Sequence, residues 1–145
     1  MLHIPLTLID IDPGGCHLMM HARVNGFKAN ILIDTGASMS IMDLSRIEKY
    51  IENPVIRRFD KFFTGMGAGK IEAFMTSLPE ISLGGLCLRD KSIVLIDMSE
   101  INSSFAVYDL PRIDMVMGGD LLLELNAVVD YPGRCLILGP ANQKP

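Results

Sequence analysis

Long apolar runs are missing from this chain. None approaches the ~18 residues a helix needs to cross a membrane, so no membrane span is expected. Cysteine is scarce. Cys16, Cys87 and Cys135 are odd in number and form no C-x-x-C pair. That argues against a disulfide framework or a cysteine zinc site and fits a reducing, cytoplasmic compartment. Positive charge is neither abundant nor clustered: 13 Lys and Arg stand against 17 Asp and Glu, for a net charge of −4. A phosphate-neutralising surface, and with it nucleic-acid binding, is not expected. The N-terminus lacks a basic start, and Asp10 and Asp12 follow with no small-residue cleavage site, unlike a signal peptide. Linkers and low-complexity tracts are also absent, so 1–145 is expected to form one domain with a core over about 16–139.

Apolar residues, by contrast, are plentiful at 49%, and mean hydropathy is +0.32. A chain of 145 residues can bury roughly 70% of its unfolded surface and needs no metal or disulfide to fold. The surplus apolar surface is expected to pack against another subunit.

The hydrophobic pattern is mostly that of strands. In Cys16–Val24, Leu18, Met20, Ala22 and Val24 alternate with His17, Met19, His21 and Arg23. Asn25-Gly26 then signals a tight hairpin, with Phe27–Ile33 as the return strand. Asp43 is positioned to cap a helix over Leu44–Ile51, which Asn53-Pro54 stops. Residues 62–75 suggest a long hairpin with a glycine-rich tip. Further expectations are a hairpin at 81–88, a strand at 92–97, short helices over Ser99–Tyr108 and Asp120–Asn126, and a closing hairpin over 127–138. Pro132-Gly133 at its turn centre suits a type II turn. One weak repeat is visible: Ile31-Leu32-Ile33-Asp34 recurs as Val94-Leu95-Ile96-Asp97.

Asp34-Thr35-Gly36-Ala37-Ser38 is the sharpest chemical feature. A carboxylate that ends a continuous apolar strand is costly to bury unpaired. Thr35 can hydrogen-bond beside it, and Gly36 admits close backbone approach. The glycine-rich segment Thr64–Gly69 fails the phosphate-loop pattern, because Thr64 takes the first glycine position and Ile71 follows Lys70. Cys16, His17 and His21 tempt a metal reading, but four residues of strand separate the histidines by ~13 Å. No metal site is therefore expected.

Ile33-Asp34-Thr35-Gly36-Ala37-Ser38, the hairpin 64–69 and Val116-Met117-Gly118-Gly119-Asp120-Leu121-Leu122, in this order, resemble the retropepsin-like (retroviral-type) aspartic proteases. The resemblance runs from about Leu18 to Leu138. It implies an all-β domain with short helices in the acid-protease fold, closed and barrel-like, working as a symmetric homodimer. That family uses two aspartates, and this chain has one Asp-Thr-Gly, so Asp34 would be contributed twice. Thr35 would brace the opposite loop, and Gly36 would offer its backbone. Ala37, Ser38 and Met117, with Gly65, Met66, Gly67, Ala68 and Gly69 as a flap, would contact a peptide or protein substrate. No cofactor is implied. The family's usual Arg after the first glycine of the helix motif is Gly119 here, and its acidic partner position is Ser38. The dimer must therefore be held differently. Asp120 is expected to act as a helix cap and Asp97 in a capping or surface role, an Asp34/Asp97 dyad being the alternative. The functional expectation is an aspartic endopeptidase; a non-catalytic peptide-binding dimer on the same fold is the alternative.

Overall fold

The computed structural model describes residues 1–11, 13–59 and 71–140. Two short strands open the chain, β1 (Leu2–Pro5) and β2 (Thr7–Ile11). β3 (Gly15–Val24) and β4 (Phe27–Ile33) then pair from Leu18↔Ile33 to Val24↔Phe27. Their turn forms as its sequence predicts: Asn25 and Gly26 sit at φ +48° and +85°, the two left-handed positions of a type I′ turn. Leu18, Met20, Ala22 and Val24 face the main core, as the alternation requires. Met19, on the opposite face, is also fully buried. It joins Ile9, Leu32, Met98 and Ile113 in a second, smaller core.

The expected helix after β5 (Ile41–Asp43) is split. A 3-10 turn over Leu44–Arg46 precedes α1 (Ile47–Tyr50). Asp43 does cap it, accepting from the Ser45 backbone at 3.0 Å. Its buried carboxylate also takes the Ser45 hydroxyl and the Met98 amide, tying this turn to a segment 55 residues away.

β6 (Arg57–Phe59) precedes the longest hairpin, β7 (Ala73–Leu83) with β8 (Leu86–Ile96), which turns at Gly84-Gly85. One register runs from Phe74↔Leu95 to Leu83↔Leu86, merging the expected hairpin at 81–88 with the expected strand at 92–97. The apparent break is Pro79, which this register sets opposite Asp90 at φ +53°. Proline has no amide to give the ladder, but the pairing resumes on both sides. The proposed tip, residues 64–69, lies outside the described residues.

α2 (Ser99–Val107), β9 (Met115–Met117), α3 (Gly119–Glu124), β10 (Ala127–Asp130) and β11 (Cys135–Leu138) complete the chain. The last turn is not type II. Gly133 is not left-handed; Arg134 is, at φ +49°. The Arg134 amide donates to the Tyr131 carbonyl, and the Asp130 carboxylate accepts from the Gly133 amide. A four-residue loop closed in this way is satisfied without a positive φ at Gly133.

Eight strands follow the order β2-β3-β4-β9-β5-β8-β7-β6. Two of the pairings, β4–β9 and β5–β8, are parallel. β3 meets β7 only at Arg23↔Ser82 and Val24↔Ile81, so the ring of strands closes loosely. β2 and β6 stand outside it, which makes "closed barrel" too strong a description. A separate sheet, β1-β11-β10, caps one side and sends Ile4, Leu136 and Leu138 into the main core. No helix among the described residues is long and apolar enough to cross a membrane.

Candidate active site

β4 carries Ile31, Leu32 and Ile33 into the sheet beside Met115, Val116 and Met117 of β9. The chain leaves the strand at Asp34, whose amide donates to the Met117 carbonyl at 3.0 Å. A tight turn follows. The Ala37 amide donates to the Asp34 carbonyl at 3.2 Å, and the Gly36 amide donates to the Asp34 carboxylate at 2.9 Å. A Cβ on Gly36 would stand 3.2 Å from that carboxylate oxygen, so glycine lets the turn close tightly. Asp34, Thr35 and Gly36 are all exposed, just past the buried Ile31 and Leu32 of β4.

The loop is gripped by the start of α3. Helix-start amides have no partner within their own helix; here the Gly119 amide donates to the Ala37 carbonyl at 2.7 Å and the Asp120 amide to the Ser38 carbonyl at 3.2 Å. A Cβ on Gly118 would lie 2.5 Å from the Ala37 carbonyl oxygen, which requires glycine for this approach. Side chains complete the clamp. One Asp120 oxygen accepts from the Ser40 amide at 2.9 Å, the Ser40 hydroxyl at 2.7 Å and the Leu121 amide at 2.8 Å. The Ser40 hydroxyl in turn accepts from the Gly118 amide at 3.0 Å. Ser40 is buried, which suits a fully bonded hydroxyl.

Of the three sequence segments, the first and third meet, Asp34–Ser38 against Val116–Leu122, whereas Gly65, Met66, Gly67, Ala68 and Gly69 lie outside the described residues. Met117 differs from its expected role. Its side chain is fully buried, so within this chain it offers no surface to a substrate; its carbonyl anchors Asp34 from beneath. Asp120 sits in the first turn of α3, whose N-cap is Gly118, so it is not the expected cap; its carboxylate accepts from the Leu121 amide and holds Ser40. Ser40 was not among the expected site residues. The missing Arg and acidic pair pointed to the dimer rather than to this residue, whose partners lie 78 and 80 residues away.

Asp97 repeats the local geometry of Asp34, with its carboxylate accepting from the Ser99 amide at 2.9 Å. Hydrogen bonds from the Ser99 side chain and backbone hold its carboxyl below the usual range. Asp97 is exposed and lies one residue before Met98, the N-cap of α2, so it serves the first helical amide from outside the cap position. His17 stacks on Phe105, while His21 bonds Thr7 and Asn30. Among the described residues, no group of three or more metal-ligating side chains converges.

An aspartyl protease family model matches residues 20–121. "Protein DDI1 homolog 2" of Xenopus laevis is 27% identical over 123 residues, covering 84% of this chain but only 28% of that protein. The chain thus spans a little over a quarter of that relative's length. In the retroviral protease-like domain of Ddi1 from Leishmania major, the identity is 18% and the TM-score 0.55, with 87% of this chain and 90% of that one covered. A retropepsin-like aspartic protease from Rickettsia conorii gives a TM-score of 0.59 at 17% identity, covering 94% of this chain and 88% of that one. An Asp-Thr-Gly loop at a strand end, clamped by a glycine-led helix, and a family match across most of the chain lead to one conclusion: this chain belongs to the aspartyl protease family and has the retropepsin-like fold.

Proposed function

We propose that the chain is an aspartic endopeptidase in which two copies each contribute Asp34 to one site. The observation that carries this reading is the placement of Asp34: exposed, just past the buried Ile31 and Leu32 of β4, in a loop hydrogen-bonded by β9 on one side and α3 on the other. A single Asp-Thr-Gly calls for a second copy, and Thr35 is exposed where a partner's loop could be braced.

In this mechanism one carboxylate removes a proton from water, and the other, protonated, donates a hydrogen bond to the peptide carbonyl. The water oxygen bonds to the carbonyl carbon, giving a tetrahedral intermediate. Its C–N bond then breaks as the amine takes a proton from the dyad. No acyl-enzyme forms. Gly36, Ala37 and Ser38 would flank an extended peptide, and residues 65–69 would cover it as a flap. Three free cysteines fit a reducing compartment such as the cytoplasm.

The test is cleavage of a mixed peptide library, read by mass spectrometry, with wild type and Asp34→Asn. Cleavage by wild type alone, with both proteins equally folded, supports the reading. Equal cleavage by both overturns it. Peptide capture with no cleavage by either assigns the domain to non-catalytic peptide binding.

A further inference from the structure

The β3–β4 hairpin places two cations side by side away from Asp34. Arg23 and Lys28 are directly paired across the strands, where like charges oppose each other at a cost. Neither has a carboxylate within ion-pair distance among the described residues; Arg23 donates only to the Gly26 carbonyl. The nearby acids are engaged elsewhere. Asp114 accepts from the Asn30 amide, and Glu80 pairs with Arg89. The chain as a whole is acidic, at −4, so an uncompensated basic pair is a local departure from its average.

The pair borders a recess of about 550 Å³, also lined by His21, Asn30, Ser82 and the Gly84-Gly85 turn. Its polar wall is joined by a chain of hydrogen bonds. The Asn30 side-chain amide donates to the Arg112 carbonyl, which leaves its oxygen to accept from Nδ1–H of His21. Nε2 of His21 then bonds Thr7. Gly85 has open space where a side chain would stand, so the turn admits close approach by a ligand. The recess is far larger than one simple anion, since a water molecule takes ~30 Å³. It has room for several residues of an extended segment, whose alternate side chains share a face at ~6.8 Å spacing.

We propose that this recess binds an acidic peptide segment, with Arg23 and Lys28 each taking a carboxylate. Four to six residues of β4 separate Asn30 and Lys28 from Asp34, a distance on the order of 13–20 Å. The site is therefore separate from the loop of Asp34 and does not depend on catalysis there.

The experiment measures binding of a fluorescent ten-residue peptide of alternating Glu and Ser to full-length protein at low salt. An otherwise identical Gln and Ser peptide and a ten-nucleotide single-stranded DNA serve as comparisons. Arg23→Gln with Lys28→Gln should weaken the Glu peptide at least tenfold, and the Gln peptide should bind at least tenfold more weakly to wild type. Relief of the like-charge pairing should leave the double variant no less stable, so thermal melting separates lost binding from lost folding. Asp34→Asn should bind as wild type does, which keeps this result distinct from the outcome at the catalytic loop. No measurable binding of the Glu peptide, equal binding by the double variant, equal binding of the Gln peptide, or tighter binding of the DNA each overturns the proposal.

Discussion

Ser40 connects the Asp34 loop to α3 through one hydroxyl, donating to Asp120 and accepting from Gly118. Ser40→Ala removes both bonds and leaves the buried Gly118 amide unpaired, which should cost about 2–3 kcal/mol. Urea unfolding would report that loss, and peptide turnover should fall because the Asp34 loop is less firmly held. Ser40→Thr keeps the hydroxyl and should restore much of both. Tyr50 makes a second long-range link, donating to the Lys28 carbonyl at 3.2 Å. Burial, and then the neighbouring Asp114 carboxylate, push its phenol well above the ordinary value near 10. The folded state therefore favours the protonated phenol. Its contribution is complete below about pH 10 and is lost as pH rises towards the folded value, at up to roughly 1.4 kcal/mol per unit. Tyr50→Phe should flatten this alkaline decline in melting temperature between about pH 9 and 11.5; an unchanged slope would assign the decline to other groups. Asp34-Thr35-Gly36 was legible in sequence because its chemistry is contiguous. Ser40 and Tyr50 were not, because their partners lie 78–80 and 22 residues away.

Among the elements, hairpins were the most legible, because their turns and alternation are local. Asn25-Gly26 and Gly84-Gly85 both take left-handed conformations. The parallel pairings were hidden: three-residue strands such as β5 and β9 have too few positions to show a period, and their partners are set by tertiary contact. Asp43 illustrates the limit. Its capping role followed from position, whereas its bond to Met98 did not. Asp43→Ala should therefore cost more than an ordinary cap, about 2–4 kcal/mol against the typical ~1, because a buried amide also loses its acceptor. Thermal or denaturant unfolding checks this, and a loss under 1 kcal/mol would count against the clasp. The closing turn carries a different signature. Arg134 occupies a left-handed conformation that glycine takes without a steric penalty. Arg134→Gly should be neutral or raise stability by up to about 1 kcal/mol, despite the loss of a long side chain.

The whole molecule exposes Asp34 while burying Ile31 and Leu32, the strand residues that lead into it. The sheet β1-β11-β10 packs Leu136 and Leu138 into the core, so cutting the chain after Asn126 would disrupt folding and cannot isolate an effect on assembly. Substituting the carboxylate alone avoids that problem. Asp34→Asn keeps the size and the acceptor oxygen for the Gly36 amide but removes the charge. If two chains share one site, wild type mixed with a large excess of this variant forms mainly mixed dimers, each with one titratable carboxylate. Under subunit exchange, activity per wild-type chain should then fall steeply, approaching the square of the wild-type fraction when expressed per total chain. Labelled subunits that transfer energy on mixing would prove the exchange independently. Activity that stays proportional to wild-type chains, despite proven exchange, would mean that each chain holds a complete site. The shared-carboxylate mechanism would then fail, while the clamp of Ser40, Gly118 and Asp120 around the Asp34 loop, being internal to one chain, would stand.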